Sequence, residues 1–479
     1  MRIAIIGGGI AGLATAYELE LAAREGMPVE YDLFEAGPRL GGVISSSIVD
    51  GTVIEHGPDS FLTEKPAAAA LCRELGLEPD LVGSNDAARR TYILVNNRLL
   101  PLPDGLMFLI PTKVVPVLRT GLFSLMTKLR MGLELLQRPR AGGADEAVAE
   151  FVRRHYGQQV VERLADPLLS GIYGGDAEQL SVQAVLPRLV ELEAKHGSLT
   201  RGVLAGMKAR RELAEDDEER PKPPPVFTTL RFGLQELVDA LTARLHGGGV
   251  HLGSPVASVE RVTGGWRVGR EGVAQVFDAV VVATPAWAAG ELLRGVDREL
   301  SDELAGIPYS SSVTINLVYD GAELDPLPPG FGFLVPAAEK LSILACTFIH
   351  RKFARRTAVG KSVLRVFMGG AHNAGLLERS DEELGDLARK ELRRILHITA
   401  RPELVEVRRW PRAMAQYAVG HRDRMRRIQD RLLQLPGLRL VGNAYDGIGI
   451  SDCIRLGRAA ARDLTATLRD APATVQSHR

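Results

Sequence analysis

Three glycines near the start of the chain have the spacing that lets a backbone close around a pyrophosphate. Gly7, Gly9 and Gly12 lie in the run Gly7-Gly8-Gly9-Ile10-Ala11-Gly12 and fit the pattern GxGxxG. Gly7 permits a tight turn, Gly9 lets phosphate oxygens approach the backbone, and Gly12 lets a helix pack close to a sheet. A helix beginning at Ile10 would present free N–H groups and its positive dipole end to the phosphates. Glu35 follows Gly12 by 23 residues (35 − 12 = 23), near the roughly 20 expected for an acid that binds ribose hydroxyls. An exposed strand-end glutamate is the plainer reading of Glu35.

These residues act only if regular elements hold them. Residues 2–6 read as a buried strand. Ile10, Leu13, Ala14, Tyr17 and Leu21 recur at helical spacing within 10–24, and Val29 to Phe34 reads as a second strand. Strand, helix, strand is a βαβ unit with a right-handed crossover. Residues 91–103 alternate as a strand ending at Pro101 and Pro103, and the pattern then turns helical from about 104 to 215. Within that stretch, Gly121 to Gln137 is apolar on most sides. It reads either as a buried core helix or as part of a lobe that rests on a membrane or roofs an apolar pocket.

The charge- and proline-rich residues 208–225 predict a disordered loop. Strand signals follow at 226–230, 250–253, 256–262 and 276–282, with a strand-rich region over 311–370. A helix at 380–397, strands at 403–409 and 437–441 and a helix at 451–469 complete the chain.

Further on, Arg39-Leu40-Gly41-Gly42 adds a glycine pair that a plain NAD site does not need. It resembles the flavoprotein superfamily of amine oxidases, phytoene desaturases, protoporphyrinogen oxidases and GDP-dissociation inhibitors. Val43 stands where amine oxidases often have a further arginine, which weighs against that branch. Gly57-Pro58-Asp59-Ser60-Phe61 looks like the flavin-side segment of porphyrinogen oxidases. Pro167 to Asp176, with Gly171-Ile172-Tyr173-Gly174-Gly175, resembles their substrate-lobe signature. Gly442-Asn443-Ala444-Tyr445-Asp446-Gly447-Ile448-Gly449-Ile450-Ser451-Asp452-Cys453 is similar to their C-terminal FAD segment, and Trp410 and the run Met414 to His421 also look family-like.

The resemblance spans nearly the whole chain and implies an α/β fold. An FAD-binding Rossmann-like domain is expected at 1–85, 226–300 and 411–479, an α+β substrate domain at 86–103 and 301–410, and a helical lobe at 104–215. FAD is the implied cofactor. It would be held by Gly7, Gly8, Gly9, Ile10, Ala11, Gly12, Glu35, Ala36, Arg39, Gly41, Gly42, Gly57, Pro58, Asp59, Ser60, Val256 and Trp410. Gly442, Asn443, Gly447, Ile448, Gly449, Ile450, Ser451 and Asp452 would complete the seat.

The implied reaction is oxidation of a porphyrinogen to the porphyrin in haem synthesis. It would take three hydride transfers to the flavin, with O2 as acceptor and H2O2 as product. Arg98-Leu99-Leu100-Pro101-Leu102-Pro103, Ile110-Pro111-Thr112-Lys113 and Thr120 to Ser124 look closer to the coproporphyrinogen III oxidase type of Gram-positive bacteria. Plant and animal protoporphyrinogen oxidases carry a propionate-pairing arginine where Thr91 stands here, with Arg89 and Arg90 just upstream. Coproporphyrinogen III and protoporphyrinogen IX therefore both stay open. Gly171 is expected to meet the macrocycle through its backbone, and Arg90 and Arg98 are candidates for propionate pairing, against a plainer reading as exposed arginines. Two rivals share the glycine turn: another amine oxidase or carotenoid desaturase, and a non-catalytic binding protein of the GDP-dissociation-inhibitor kind.

The bulk numbers are compatible with this. The 479 residues predict two or three domains, and a 45% hydrophobic composition supplies enough apolar side chains for large cores. Lys+Arg and Asp+Glu both number 59, so net charge makes no case for a nucleic-acid partner. Cys72, Cys346 and Cys453 are far apart and form neither a zinc pattern nor a disulfide framework, which predicts a reducing, cytoplasmic location. No signal peptide and no membrane-spanning run is expected, while a peripheral membrane contact and a monomer or homodimer stay open. No Ser/His/Asp set, acid–base residue or metal-spaced cluster stands out, and His56, His155, His196 and His372 read as surface or satisfied histidines.

Overall fold

Five short strands from three distant parts of the chain form one parallel sheet in the computed structural model. It describes residues 1–107, 109–139, 143–212, 224–324 and 327–469. The order across the sheet is Gly249–His251, Glu30–Phe34, Arg2–Ile6, Ala279–Val282, Leu438–Leu440, each pair parallel. Strand side chains alternate between faces, so Ile3 and Ile5 enter one apolar core and Ala4 and Ile6 the other. Helices Ile10–Arg24 and Ile450–Arg469 pack together beside the first core. Their approach is backbone-close: Thr15 Oγ1 donates to the Gly457 carbonyl at 3.1 Å, and a Cβ on Gly457 would sit 2.3 Å from Ala11 O. On the other face lies an antiparallel ribbon of Val256–Val262, Gly265–Arg270 and Val273–Phe277, anchored by the buried Trp266 and Phe277.

A second sheet has seven strands. Their order is Leu404–Ala415, Tyr309–Asp320, Lys361–Gly369, Ile343–Phe348, Gly332–Leu334, Thr91–Val95, Arg98–Pro101. All neighbours are antiparallel except Gly332–Leu334 with Thr91–Val95. Helix Asp381–Leu396 covers this sheet and starts at a capping box in which Ser380 and Glu383 satisfy each other's backbone N–H. A third core joins helical residues between about 109 and 203 around Phe123, Phe151 and Tyr156. Buried Glu134 pins that lobe, accepting from Leu199 N at 2.6 Å and Ser198 Oγ at 2.8 Å and pairing with His155.

The structure revises several sequence expectations. Residues 91–103 are not one strand but a hairpin, because Asn96 and Asn97 both adopt positive φ (50° and 61°) and turn the chain. The 276–282 signal is two strands, broken at Asp278. The 403–409 strand runs on to Ala415, and Pro411 is tolerated because this is an edge strand.

In the apolar stretch 121–137, only Leu125–Leu133 is α-helix, followed by a 3₁₀ turn at Glu134–Leu136. The buried-core reading of it fails. Thr127 and Met131 face inward, but Leu125 and Met126 remain 72% and 75% exposed. Residues 208–212 continue the helix Leu199–Glu212 rather than forming loop, and the remainder of that predicted loop at 213–223 lies outside the described residues.

The close helix contact makes a prediction. Gly457→Ala should lower stability by about 1–3 kcal/mol through overpacking, read as a drop in thermal midpoint. Gly206→Ala, in an exposed helix position with nothing within 4 Å, should leave stability equal or up to about 1 kcal/mol higher. Equal midpoints for Gly457→Ala and the unaltered protein would refute the contact.

Candidate functional site

The first strand ends in a turn that only glycine can make. Gly7 has φ +108°, and a Cβ there would fall 2.8 Å from the Ala283 carbonyl oxygen. A Cβ on Gly9, by contrast, would meet nothing within 4 Å, so the turn is open on the side where a ligand would lie. The helix starting at Ile10 has no side-chain cap at Gly9, which leaves the N–H groups of Ile10, Ala11 and Gly12 without intrahelical partners. Glu35 reaches this turn: Oε2 accepts from Gly8 N and Oε1 from Gly37 N, both at 2.7 Å. A carboxylate oxygen can accept more than one hydrogen bond, so both keep capacity for hydroxyls. Ala36 is exposed beside it, and Val256 begins the antiparallel ribbon two residues after Ser254, whose N–H donates to the Glu35 carbonyl.

The next loop folds back onto the turn. Gly41 N donates to Gly8 O at 2.8 Å. Arg39 points into its own loop and donates to the carbonyls of Leu40, Gly42 and Ile44, so its guanidinium shapes the Gly41-Gly42 bend.

Residues 55–60 are held from the second sheet. Trp410 Nε1 donates to His56 O at 2.8 Å, Asn316 Nδ2 to Glu55 O at 3.0 Å, and Arg365 to Gly57 O. Pro58 and Ser60 are half-buried here, and Ser60 Oγ donates to Asp59 at 2.6 Å. Asp59 pairs with Lys352 at 3.1 Å and Arg365 at 3.5 Å. Burial alone would raise the Asp59 carboxyl, but those two cations outweigh it and hold it far below the usual carboxylate range.

The chain returns at 442–452. Tyr417 organises this stretch: its hydroxyl donates to Asn443 O and accepts from Gly447 N, both at 2.9 Å. Asn443 Nδ2 donates to Ala413 O, and Gly442 opens the segment directly after the last sheet strand and Val441. Gly449 N donates to Asp452 Oδ2, an N-terminal cap for helix Ile450–Arg469, with Ile448 half-buried just before it. Asp452 also pairs with Lys65 at 2.6 Å, and Ser451 Oγ donates to Lys65 O. These two side chains therefore fasten the final helix to the start of helix Pro66–Glu74, and it is the helix terminus and the Gly447–Gly449 backbone that remain for a ligand.

An uncapped helix start, an open glycine and an acid at the end of the second strand fit a dinucleotide. The added loops at 39–42, 55–60 and 442–452 extend the seat beyond it. The family described as flavin containing amine oxidoreductase matches residues 10–465. The chain belongs to this flavin-dependent family. Within it, the chain is 35% identical to coproporphyrinogen III oxidase of Bacillus subtilis over 465 residues, 96% of this chain and 97% of that one. Protoporphyrinogen oxidase 1 of Arabidopsis thaliana chloroplasts is 31% identical, with 94% and 85% covered. A crystal structure of a putative protoporphyrinogen oxidase from Exiguobacterium superposes with a TM-score of 0.85 at 32% identity, covering 97% of this chain and 99% of that one. A putrescine oxidase shares the fold with a TM-score of 0.68 at 16% identity.

The expected substrate residues are spread out. Gly171 is exposed in helix Asp166–Tyr173, where an added Cβ would come 3.1 Å from Leu334. Arg90 and Arg98 are both exposed, but they sit at opposite ends of the strand Thr91–Val95, roughly 17 Å of strand apart. One propionate cannot meet both.

Sequence reasoning missed Asn316, Lys352 and Arg365, and it marked Tyr417 and His421 only as part of the family-like run Met414 to His421. Asp176, named in the substrate-lobe signature, and His372, read as a surface or satisfied histidine, come together with Asp166, their ligand atoms within 4.8 Å of one another, a grouping the sequence did not reveal. Asp176 already accepts from Glu178 N and Gln179 Nε2. The cysteines are buried, and burial first of all pushes the Cys453 thiol up to about 12, which suits a packing role. His56 is buried between Glu406, Ser45 and Ser47, and His155 between Glu134 and Glu193.

His421 stacks on Tyr417 with ring centroids 4.0 Å apart, and burial chiefly lowers it from 6.5 to about 4. A histidine kept neutral in the fold contributes stability above pH 6.5, and that contribution drains away as pH falls through about 4. The difference, 6.5 − 4 = 2.5 pH units, caps the loss at about 3 kcal/mol. His421→Phe keeps a ring on Tyr417 and should lose less stability than the unaltered protein between pH 6.5 and 4, measured by denaturant unfolding. Identical pH profiles would remove His421 as a contributor.

Proposed function

We propose that this chain oxidises a porphyrinogen to the porphyrin in haem synthesis, using FAD and O2. The observation that carries the reading is the near full-length match, at 35% identity, to a relative named for coproporphyrinogen III oxidation. Relatives so named from Bacillus subtilis, Staphylococcus aureus and Propionibacterium freudenreichii match at 32–35% identity, above the 30–31% of the plant protoporphyrinogen oxidases, which favours coproporphyrinogen III over protoporphyrinogen IX.

The pyrophosphate would lie against Gly7–Gly12 and the start of helix Ile10–Arg24, with Glu35 accepting from ribose hydroxyls. Gly41-Gly42, Gly57–Ser60, Trp410 and the Gly447–Ser451 backbone would surround the flavin ring. Bound FAD supplies a two-electron hydride acceptor. The protein's own task is to hold a saturated meso carbon against that acceptor and keep water away. Over three turns, three hydrides would leave three meso carbons, and three protons would follow, two net from pyrrole N–H groups and one from the fourth meso carbon, so that the porphyrin keeps four meso C–H and two N–H bonds. Three cycles remove the six electrons, and each ends with O2 taking two electrons and two protons to give H2O2. Gly171 and Leu334 would bound the macrocycle, with Arg90 or Arg98 the candidate to pair with a propionate.

The exposed apolar face of the helical lobe has a place in this reading. Val114, Leu118, Leu125, Met126, Leu129 and Leu133 are all exposed. Residues 113–133 contain Lys113, Arg119, Lys128 and Arg130 and no acid. Apolar side chains rimmed by cations suit the surface of an anionic membrane, and such a seat would let a poorly soluble tetrapyrrole enter or leave without crossing water. Among the described residues no helix is long and apolar enough to cross a membrane, so the contact is peripheral.

Two measurements test this. Purified protein should carry a flavin absorption band and, in air, turn coproporphyrinogen III into its fluorescent porphyrin faster than it turns over protoporphyrinogen IX; flavin binding with neither porphyrinogen oxidised would refute the function. The double variant Leu125→Glu, Met126→Glu should fold normally, since both side chains are exposed, and should lose co-sedimentation with anionic vesicles by tenfold or more. Unchanged co-sedimentation would remove the membrane contact.

A further inference from the structure

Five charged side chains converge on residues 55–60, and all are nearly inaccessible. Glu55 pairs with Arg356 at 2.6 Å, with side chains 3% and 1% exposed. Asp59 pairs with Lys352 and Arg365, whose side chains are 9% and 2% exposed. The charges do not cancel: three cations (Lys352, Arg356, Arg365) face two anions (Glu55, Asp59), leaving one positive charge in excess. Among the described residues, Arg356 Nε and Arg365 Nε are buried without a hydrogen-bond partner.

A buried charge without its counter-charge is costly, and a fold that keeps one has a use for it or a partner that offsets it. Lys352 is the member least committed to backbone. Arg356 also donates to Thr229 Oγ1 and Leu230 O, and Arg365 to Gly57 O. Among the described residues, the Lys352 ammonium instead hydrogen-bonds to Asp59 and Ser60 and lies 4.5 Å and 4.9 Å from the ring centroids of Phe227 and Phe353. Burial pushes it down, while Asp59 and the two ring faces favour the charged form.

The reaction creates the missing counter-charge. When hydride leaves the meso carbon and the N–H proton departs from the substrate, the cofactor side gains one negative charge. Residues 57–60 are the segment placed beside the flavin ring in the proposed function, and the inference rests on that reading. A fixed positive charge behind that segment would stabilise the charge delivered with the hydride in a low-dielectric setting, without any side chain having to move. We propose that the Asp59–Lys352–Arg365 cluster sets the reduction potential of the bound flavin, with Lys352 supplying the excess charge and Asp59 moderating it. They are positioning residues, acting on the cofactor's electronics and not on the substrate.

The sign of each effect is fixed. Removing the cation in Lys352→Met should make the flavin harder to reduce, and removing the anion in Asp59→Asn should make it easier. Each should change the two-electron reduction equilibrium by at least tenfold, about 30 mV, in opposite directions, and the double variant should return towards the unaltered protein. The measurement is the midpoint potential of the purified flavin-loaded enzyme, equilibrated with redox dyes, after the flavin-to-protein ratio of each variant has been matched.

A purely structural cluster would alter flavin retention or stability but would not move the potential with the sign of the charge removed. Coincident potentials, or shifts in the same direction, overturn the inference. Should Lys352→Met fail to fold, Asp59→Asn decides alone, an upward shift supporting the inference and no shift refuting it. If the unaltered protein binds no flavin or oxidises no porphyrinogen, the functional reading falls, and this inference with it. If it does both and the potentials coincide, only the inference falls.

Discussion

Residues 55–60 belong to the nucleotide-binding part of the chain by sequence, yet the second sheet holds them. Arg365, Trp410 and Asn316 each donate to a carbonyl in this short stretch, and Lys352 and Arg365 fix Asp59. The whole site depends on that clasp. In the proposed seat the glycine turn would place a pyrophosphate by itself, and residues 55–60 would wall the flavin ring, held by side chains that come from about 250 to 350 residues further along the chain. A hydrogen bond to a buried carbonyl is modest in net worth, about 0.5–1.5 kcal/mol, yet leaving that carbonyl unsatisfied is dearer. Three donors on six residues therefore define the segment's conformation more sharply than their summed stabilisation suggests.

The clasp also explains which parts of the site were legible in the sequence. The turn at Gly7 to Gly12 was readable because its chemistry is local: the strand, the glycines and the helix are consecutive, and steric rules alone dictate glycine at Gly7 and Gly12. Glu35 was readable for the same reason, since a strand–helix–strand unit fixes its distance from the turn. Lys352 was not. It sits in His350-Arg351-Lys352, which looks like an exposed basic run, and only the second sheet shows that the lysine alone turns inward to Asp59. Arg365 was hidden in a strand whose neighbours are all apolar, and its role is defined by a carbonyl 308 residues away. Tyr417 and His421 stood out only as part of the run Met414 to His421, and the structure shows them stacked, with the Tyr417 hydroxyl bonded to the loop at 442–447.

Local rules misled where two signals competed. Residues 91–103 alternate so regularly that the strand pattern concealed the Asn96-Asn97 turn, although two consecutive asparagines are among the few residues that tolerate positive φ. In 121–137, hydrophobicity on most sides left a buried helix and a membrane- or pocket-facing lobe both open. The helix there is short, and its inward face is satisfied by Thr127 and Met131, with Ser124 capping its start. Leu125, Leu129 and Leu133 stay exposed among the described residues. Periodicity reveals that a helix has an apolar face, but not whether protein, lipid or water meets it.

The zero net charge of the chain carries the same lesson in electrostatic form. Equal totals of 59 suggest a molecule without a field, but the sum conceals an uneven distribution. One excess cation is locked behind residues 55–60, and four cations without an acid mark 113–133. Fields that act on a cofactor or a surface fall off over a few ångströms to a Debye length of about 8–10 Å, so what matters is the local excess, not the total. In a protein of this size the two regions are independent, and each follows from its own geometry. The buried charge requires both sheets to be assembled around one short segment, because neither sheet alone excludes water from Lys352. The seat proposed for the flavin ring is therefore complete only when the long-range pairing of the chain is complete.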